Sequence, residues 1–402
     1  LYAGRARFQV TVHCEFRVLR CCLAIMVAKK PAAKKKPVHV LFLFALACCS
    51  FSSALAFKAD GISLQTLGQI TGQALSFSLT RDGRVLYLVD FIAGLRVFDV
   101  SDPIKFDVIE NVVTPGKPQY GALSIDESKL FIADGHKGLS IFDVRNPRLV
   151  TLSASFAIPG GAIEIVRVAS NDMVFVSQDT SGIKAINVSS VTSPTITQNV
   201  SLTWNSLEYA AFRLQVSADG SVLCALARSS NSEQSMAVRL FIFSRAGANS
   251  DLVQAYSAEV ESGQDIALTR DGRYLFMTTS ASTDASFATG LHRFDLAAPS
   301  NPILVRPSTL DTTSPLVNNQ RATEDGAWLV YLNSDETRLY VESNSFAVFE
   351  LDTNRNVRFA VEADLKTSNS DAFYPVSVVE SPDGGILYAG AGFGQDAISL
   401  LS

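Results

Sequence analysis

The chain has 402 residues, 47% of them apolar and 25 of them phenylalanine, which excludes a largely disordered protein. Residues 1–56 hold nine Lys/Arg and one acid, Glu15, so residues 57–402 carry 25 basic against 38 acidic groups, a net of −13. A body this acidic repels a phosphate backbone, which argues against nucleic acid as a partner.

In chain order, residues 1–25 precede Met26 and are expected to be upstream sequence translated in error. Residues 26–56 read as a signal peptide in three parts. Lys29, Lys30, Lys34, Lys35 and Lys36 form a basic region, Val38 to Ala47 an apolar one, and Ser53-Ala54-Leu55-Ala56 a small-residue cleavage pattern after which the mature chain starts at Phe57. Two other readings stay open: an uncleaved anchor over Val38–Phe57, and lipid modification of Cys48. Either of the first two places the following domain outside the cytoplasm. Five of the six cysteines lie in residues 1–56. Cys224 is then alone, in the apolar run Val222 to Leu226, and is expected to be a buried, inert thiol.

Residues 57–402 are built on a repeat. Gly94-Leu95-Arg96-Val97-Phe98-Asp99 returns as Gly138-Leu139-Ser140-Ile141-Phe142-Asp143, 44 positions on, and again from Gly182. Upstream of each lies a short apolar strand: VLYLVD, KLFIAD and MVFVSQD. Later copies drift but keep a turn followed by a strand, as in LTRDGRYLFM from Leu268 and SPDGGILYAG from Ser381. The copies are anchored at Leu86, Leu130, Val174, Leu223, Leu275, Leu339 and Leu387. Each unit reads as four short strands, with a D-G or D-E hairpin turn between the first two. A four-stranded unit of about 40–50 residues is what a propeller blade requires. The expected fold is therefore all-β: a single seven-bladed β-propeller of four-stranded antiparallel blades. The last unit ends at a third strand, residues 397–402, so Gly61–Ile70 is expected to supply its fourth and close the ring.

The repeat core resembles the LVIVD repeat family and its YVTN relatives. The residues that carry the resemblance are Leu95 to Asp99, Leu139 to Asp143, Ile183 to Asn187 and Leu291 to Asp295, with the S-D-P and R-N-P turns. The resemblance implies an exported or surface-associated propeller and brings no catalytic residues with it. The long insertions of blades four to six depart from the family's regular spacing.

Candidate site residues follow from repeat position. Asp90, Asp134 and Gln178 share one position just after the second strand, and His136 lies two residues past Asp134. The functional reading is a polar-ligand or calcium site at the channel mouth, since a hard cation takes oxygen donors; the alternative is ordinary loop chemistry. Asp99, Asp143, Asp295 and Asp352 end third strands and are read as turn formers. Asn187 and Asn199 each open an N-V-S sequon and are glycosylation candidates in a eukaryotic secretory pathway. No G-x-S-x-G, HExxH or G-K-[ST] motif occurs after residue 56, and Gly390 to Gly394 reads as a blade loop. Residues 229–238, 279–290 and 306–327 lengthen the loops of blades four to six, where recognition commonly resides. The first functional expectation is a monomeric, non-catalytic binding module for a protein or glycan, with membrane association only through an uncleaved anchor. The second is a lactonase-like hydrolase that would use the Asp90, Asp134 and His136 cluster.

Overall fold

The computed structural model describes residues 52–56, 65–70, 73–102, 105–178, 182–229, 238–247, 250–260, 262–280, 290–305, 327–342, 346–363, 375–391 and 398–401. Most of the leader region and most of the three insertions named above lie outside them, as do Gly392 to Gly394.

Two strands come first, β1 (Ser52–Ala56) and β2 (Gln65–Ile70). The first blade is β3 (Ala74–Leu79), β4 (Val85–Asp90), β5 (Gly94–Asp102) and β6 (Lys105–Val112). The second is β7 (Tyr120–Leu123), β8 (Lys129–Ala133), β9 (Leu139–Asp143) and β10 (Thr151–Phe156). The third is β11 (Ile165–Arg167), β12 (Met173–Ser177), β13 (Ile183–Asn187) and β14 (Thr195–Val200). The fourth adds a short strand, β15 (Thr203–Trp204), to β16 (Leu207–Val216), β17 (Val222–Ser229), β18 (Val238–Ser244) and β19 (Val253–Glu259). The fifth is β20 (Gly263–Leu268), β21 (Tyr274–Thr279), β22 (Gly290–Asp295) and β23 (Ile303–Val305). The sixth is β24 (Leu329–Leu332), β25 (Arg338–Glu342), β26 (Phe346–Leu351) and β27 (Val357–Ala363). Then come β28 (Pro375–Glu380), β29 (Leu387–Ala391) and β30 (Ile398–Leu401).

The protein is an all-β propeller with antiparallel blades. The expectation of seven such blades is corrected: six are built from consecutive antiparallel strands, and the remaining sheet is mixed, in the order β2-β1-β30-β29-β28. β1 runs parallel to β30, and β2 pairs antiparallel with β1. Of the strand expected to close the ring directly, Gly61–Ile70, the described part, Gln65–Ile70, lies one place further out, as β2. The reason is that residues 52–56, assigned to the leader, extend along the free edge of β30 and take up its backbone groups first.

The innermost strands neighbour one another in the order β3, β7, β11, β16, β20, β24, β28 and back to β3. The core is a series of slabs between sheets, which explains why the second and third strands read as continuous apolar runs. Side chains alternate along a strand. Tyr87 and Val89 therefore pack toward Leu130, Ile132 and Phe142 of the second blade, while Leu86 and Leu88 pack toward Tyr388 on the other side.

Strand order also separates the two faces of the disc. The first-to-second and third-to-fourth turns open on one, here the turn face. The second-to-third loops and the blade-to-blade connections open on the other, the connection face. Hydrogen bonds Thr80 N to Val85 O, Ser124 N to Lys129 O, Ser217 N to Val222 O and Thr269 N to Tyr274 O close the turns alike. The hydroxyls of Thr80, Ser124, Ser217 and Thr269 donate to the aspartates two residues on.

Candidate functional site

The sequence-predicted site residues sit on the connection face. Asp90 is buried at the end of β4, and its Oδ1 accepts the amides of Ile92 and Ala93, both at 2.9 Å. Its Oδ2 lies 3.9 Å from Arg96 Nη1. Asp134, also buried, accepts Gly116 N at 3.0 Å and Ser140 Oγ at 2.7 Å on Oδ2, so it ties the preceding blade connection to its own loop. Gly116 is required there, because a Cβ would stand 2.1 Å from the Asp134 carbonyl oxygen. Gln178 donates from Nε2 to the Pro159 carbonyl, making the corresponding tie in the third blade. His136 is exposed. Among the described residues, no three His, Cys, Asp or Glu side chains gather closely enough to hold a metal ion.

The third-strand aspartates are turn formers. Asp99 Oδ1 accepts Ser101 N at 3.1 Å, Asp295 Oδ1 accepts Ala297 N at 2.9 Å, and Asp352 Oδ1 accepts Asn354 N at 2.8 Å. Asn187 does the same with Ser189 N at 2.9 Å, while Asn199 is exposed on the outermost strand β14, 2.5 Å from Lys184 Nζ. Cys224 is fully buried, and burial pushes its thiol pKa well above the ordinary value.

Sequence reasoning missed a second arrangement, at the inner wall. Four residues before each first-to-second turn stands one residue per unit: Ser76, Tyr120, Glu164, Arg213, Asp265, Leu329 and Ser377. β-Bulges fall at this level in β3, β16, β20 and β28 and re-aim the side chains. Wherever the residue can accept a hydrogen bond and is short enough, it takes the amide of the next inner strand. Ser377 Oγ accepts Phe77 N at 3.3 Å, Ser76 Oγ accepts Gly121 N at 3.2 Å, and Asp265 Oδ2 accepts Val330 N at 3.1 Å. The Glu164 carboxyl accepts Leu214 N. Arg213 has no acceptor, so its Nε donates to Asp265 Oδ1 at 3.0 Å instead, and that oxygen also takes Ile266 N at 2.9 Å. Leu329 can do neither, and the Tyr331 hydroxyl accepts Glu380 N at 3.1 Å in its place. The result is a polar belt that links neighbouring blades.

From the second to the fifth blade the belt is built of ionisable groups. Tyr120 lies under the Arg213 guanidinium, 5.6 Å from ring centroid to Cζ, in cation–π contact. Glu164 is buried, and its Oε2 has no hydrogen-bond partner among the described residues. Burial pushes the Glu164 pKa up to about 8, against the pull of Arg213 and the Leu214 amide and with a further push from Asp265. Burial raises Asp265 as well, opposed first by Arg213. Asp265 receives three N–H donors and Glu164 one, so the carboxylate charge belongs on Asp265 and the proton on Glu164. Solvent still reaches the arc: the Arg213 and Asp265 side chains are 22% and 11% exposed. The signal for this ring was in the sequence, as charged residues inside apolar first strands at one fixed distance from each turn.

No protein-family model matches the chain, and no curated protein matches it as a relative. Solved structures do. The Cps50 (Swd1) β-propeller domain of Myceliophteria thermophila superposes with a TM-score of 0.57 at 11% identity, over 83% of this chain and 97% of that one. The periplasmic gluconolactonase PpgL of Pseudomonas aeruginosa gives 0.55 at 16%, over 79% and 97%. A chain of the mitotic checkpoint complex gives 0.57 at 12%, over 96% and 98%. At these identities the likeness is one of fold.

Proposed function

We propose that this chain is an extracytoplasmic recognition module that engages a protein partner with its connection face. The observation that carries the reading is the apolar surface of that face. Ile92 and Val113 are 74% and 87% exposed, and the two tryptophans, Trp204 and Trp328, stand partly exposed at the ends of blade connections on the same face. Exposed apolar and aromatic groups are what a protein interface uses; the turn face carries exposed apolar residues as well, Leu149, Val253 and Ile303, but neither tryptophan. The described strand ends that flank the insertions, of β17 and β18, β21 and β22, and β23 and β24, lie on the same face by strand direction. Propellers of this fold that sit in assemblies, such as the checkpoint-complex chain, agree with the reading. The test is cross-linked co-purification of one partner. Ile92→Asp with Val113→Asp should abolish it, whereas Leu149→Asp on the turn face should not. Equal capture by both variants would sink the proposal, and loss with a soluble glycan competitor would redirect it to a glycan.

Export carries a structural consequence. β2 is antiparallel to β1, which is parallel to β30, so β2 already runs antiparallel to β30. Cleavage after Ala56 removes β1, and β2 then moves inward by one strand, completing a seventh four-stranded antiparallel blade of the kind the LVIVD-like repeats suggest. Mass spectrometry of the exported protein should find Phe57 at its start. A chain that keeps Ser52–Ala56 would retain the mixed sheet.

A second reading, a hydrolase of the lactonase kind, now rests on Glu164 rather than on the loop acids. A buried carboxyl with a high proton affinity beside an arginine is the equipment of a general acid. PpgL is a gluconolactonase on the same fold. Turnover of a sugar lactone lost in Glu164→Gln would support it, and absence of turnover would remove it.

A further inference from the structure

We propose that the charged arc of the inner wall, Tyr120, Glu164, Arg213 and Asp265, is a binding site for a neutral, hydroxyl-rich small molecule of the sugar type. It is independent of whatever partner the connection face holds. Three observations carry it. The first is the unpartnered Oε2 of Glu164, on a side chain 4% exposed, in a wall where the other acceptors are used. A buried polar atom without a partner costs about 1–3 kcal/mol, a cost that a ligand hydroxyl would relieve. The second is the Arg213 guanidinium. Its Nε is held by Asp265 and its Nη1 by the Phe212 carbonyl at 2.9 Å, which orients the group while its side chain still meets solvent. The third is the Tyr120 ring beneath it, a half-buried aromatic face 5.6 Å from the Arg213 Cζ.

The ligand's charge follows from the sum of the arc. With the proton on Glu164 and the negative charge on Asp265, Arg213 is balanced and the arc is neutral. An anion would bury an uncompensated negative charge, and a cation would face Arg213 across a poorly solvated wall. A neutral molecule that both donates and accepts hydrogen bonds incurs neither cost. The charged and titratable groups that interact with Glu164 are Arg213 on β16, Asp265 on β20 and Tyr120 on β7. Arg213 alone of these favours its ionised form, so proton loss from Glu164 would leave an arc of net −1.

Three sugars of one carbon skeleton test the charge rule on the full chain. Isothermal titration calorimetry at pH 6.5 should show saturable binding of D-glucose, at least tenfold weaker binding of D-glucuronate, and the same for D-glucosamine. D-xylose and myo-inositol serve as further neutral probes. D-glucose affinity should fall about tenfold per pH unit above pH 8 as Glu164 ionises. Glu164→Gln cannot ionise, so whatever its affinity at pH 6.5, its D-glucose binding should no longer fall as pH rises above 8. Absence of saturable binding by every neutral probe overturns the site. Equal or tighter binding of either charged sugar overturns the charge rule. A pH dependence that survives Glu164→Gln overturns the role of Glu164. The charge series on the unmutated chain stands even if the variant fails to fold.

Discussion

The inner belt has two arcs that do the same mechanical task by different chemistry. Around Ser377 and Ser76, hydroxyls accept the next strand's amide. From Glu164 to Asp265, ionisable groups occupy the same repeat position. A neutral hydrogen bond of this kind contributes about 1 kcal/mol, whereas taking a charge out of water costs several. Linking blades therefore needs only serine, and Leu329 shows that one unit manages without any polar group there. The charged arc carries more desolvation cost than its linking role requires, and that excess is the physical reason for assigning it a ligand.

The largest effect is expected at Asp265. Asp265→Ala strips an acceptor from Val330 N and Ile266 N and leaves Arg213 without its carboxylate. Breaking a pair of this kind typically costs about 3–5 kcal/mol. Urea unfolding should show a loss of that order, and Asp265→Asn, which keeps an acceptor, should lose less. A loss below about 1 kcal/mol for the alanine variant would mean the arc is not anchored through Asp265, and the contrast with the serine arc would collapse.

Glu164 sharpens the comparison through pH. Its folded pKa, about 8, lies above the ordinary value of 4.5, so the folded state holds a proton that the unfolded chain releases between those values. Stability contributed by this group is full below about pH 4.5 and is lost as pH rises toward 8. The slope should reach about 1.4 kcal/mol per pH unit. Glu164→Gln should flatten it, while Ser76→Ala should shift the whole curve down by about 1 kcal/mol without changing its shape, since it orphans the Gly121 amide. Parallel curves for wild type and Glu164→Gln would show that Glu164 does not titrate in that window.

The outcome at these positions shows what a sequence can and cannot disclose. The propeller was legible because apolar strands and D-G turns are local signals repeated in register, as at Leu86, Leu130 and Val174. The mixed closing sheet was not, because residues 52–56 read as a leader and their pairing with β30 is a contact across nearly the whole chain. Asp90 and Asp134 drew attention as acids at one repeat position, yet their amide partners Ile92, Ala93 and Gly116 are loop geometry that no spacing announces. The inner ring was legible in principle. Ser76, Tyr120 and Glu164 keep the 44-residue offset, but their residue types differ so much that only the closed ring makes them one feature.

The smallest effect belongs to a link between blades made outside the ring, on the turn face. Glu127 holds a positive φ of 56°, where the equivalent turn residue of the first blade is Gly83 at 70°. A non-glycine residue there costs about 1–2 kcal/mol. Its carboxylate accepts Arg81 N at 2.8 Å and lies 3.7 Å from Arg81 Nε, on a side chain that is itself mostly exposed. Such an ion pair is screened and adds at most about 1 kcal/mol. Glu127→Gly relieves the strain and removes the link, so the two terms nearly cancel and the net change should lie within about 0.5 kcal/mol. Glu127→Ala removes the link and keeps the strain, so it should be less stable than the glycine variant by about 1 kcal/mol. Equal stability of the two in urea unfolding would mean that the backbone at Glu127 relaxes when the link is gone, and that exposed links of this kind, unlike the buried belt, hold no strain in place.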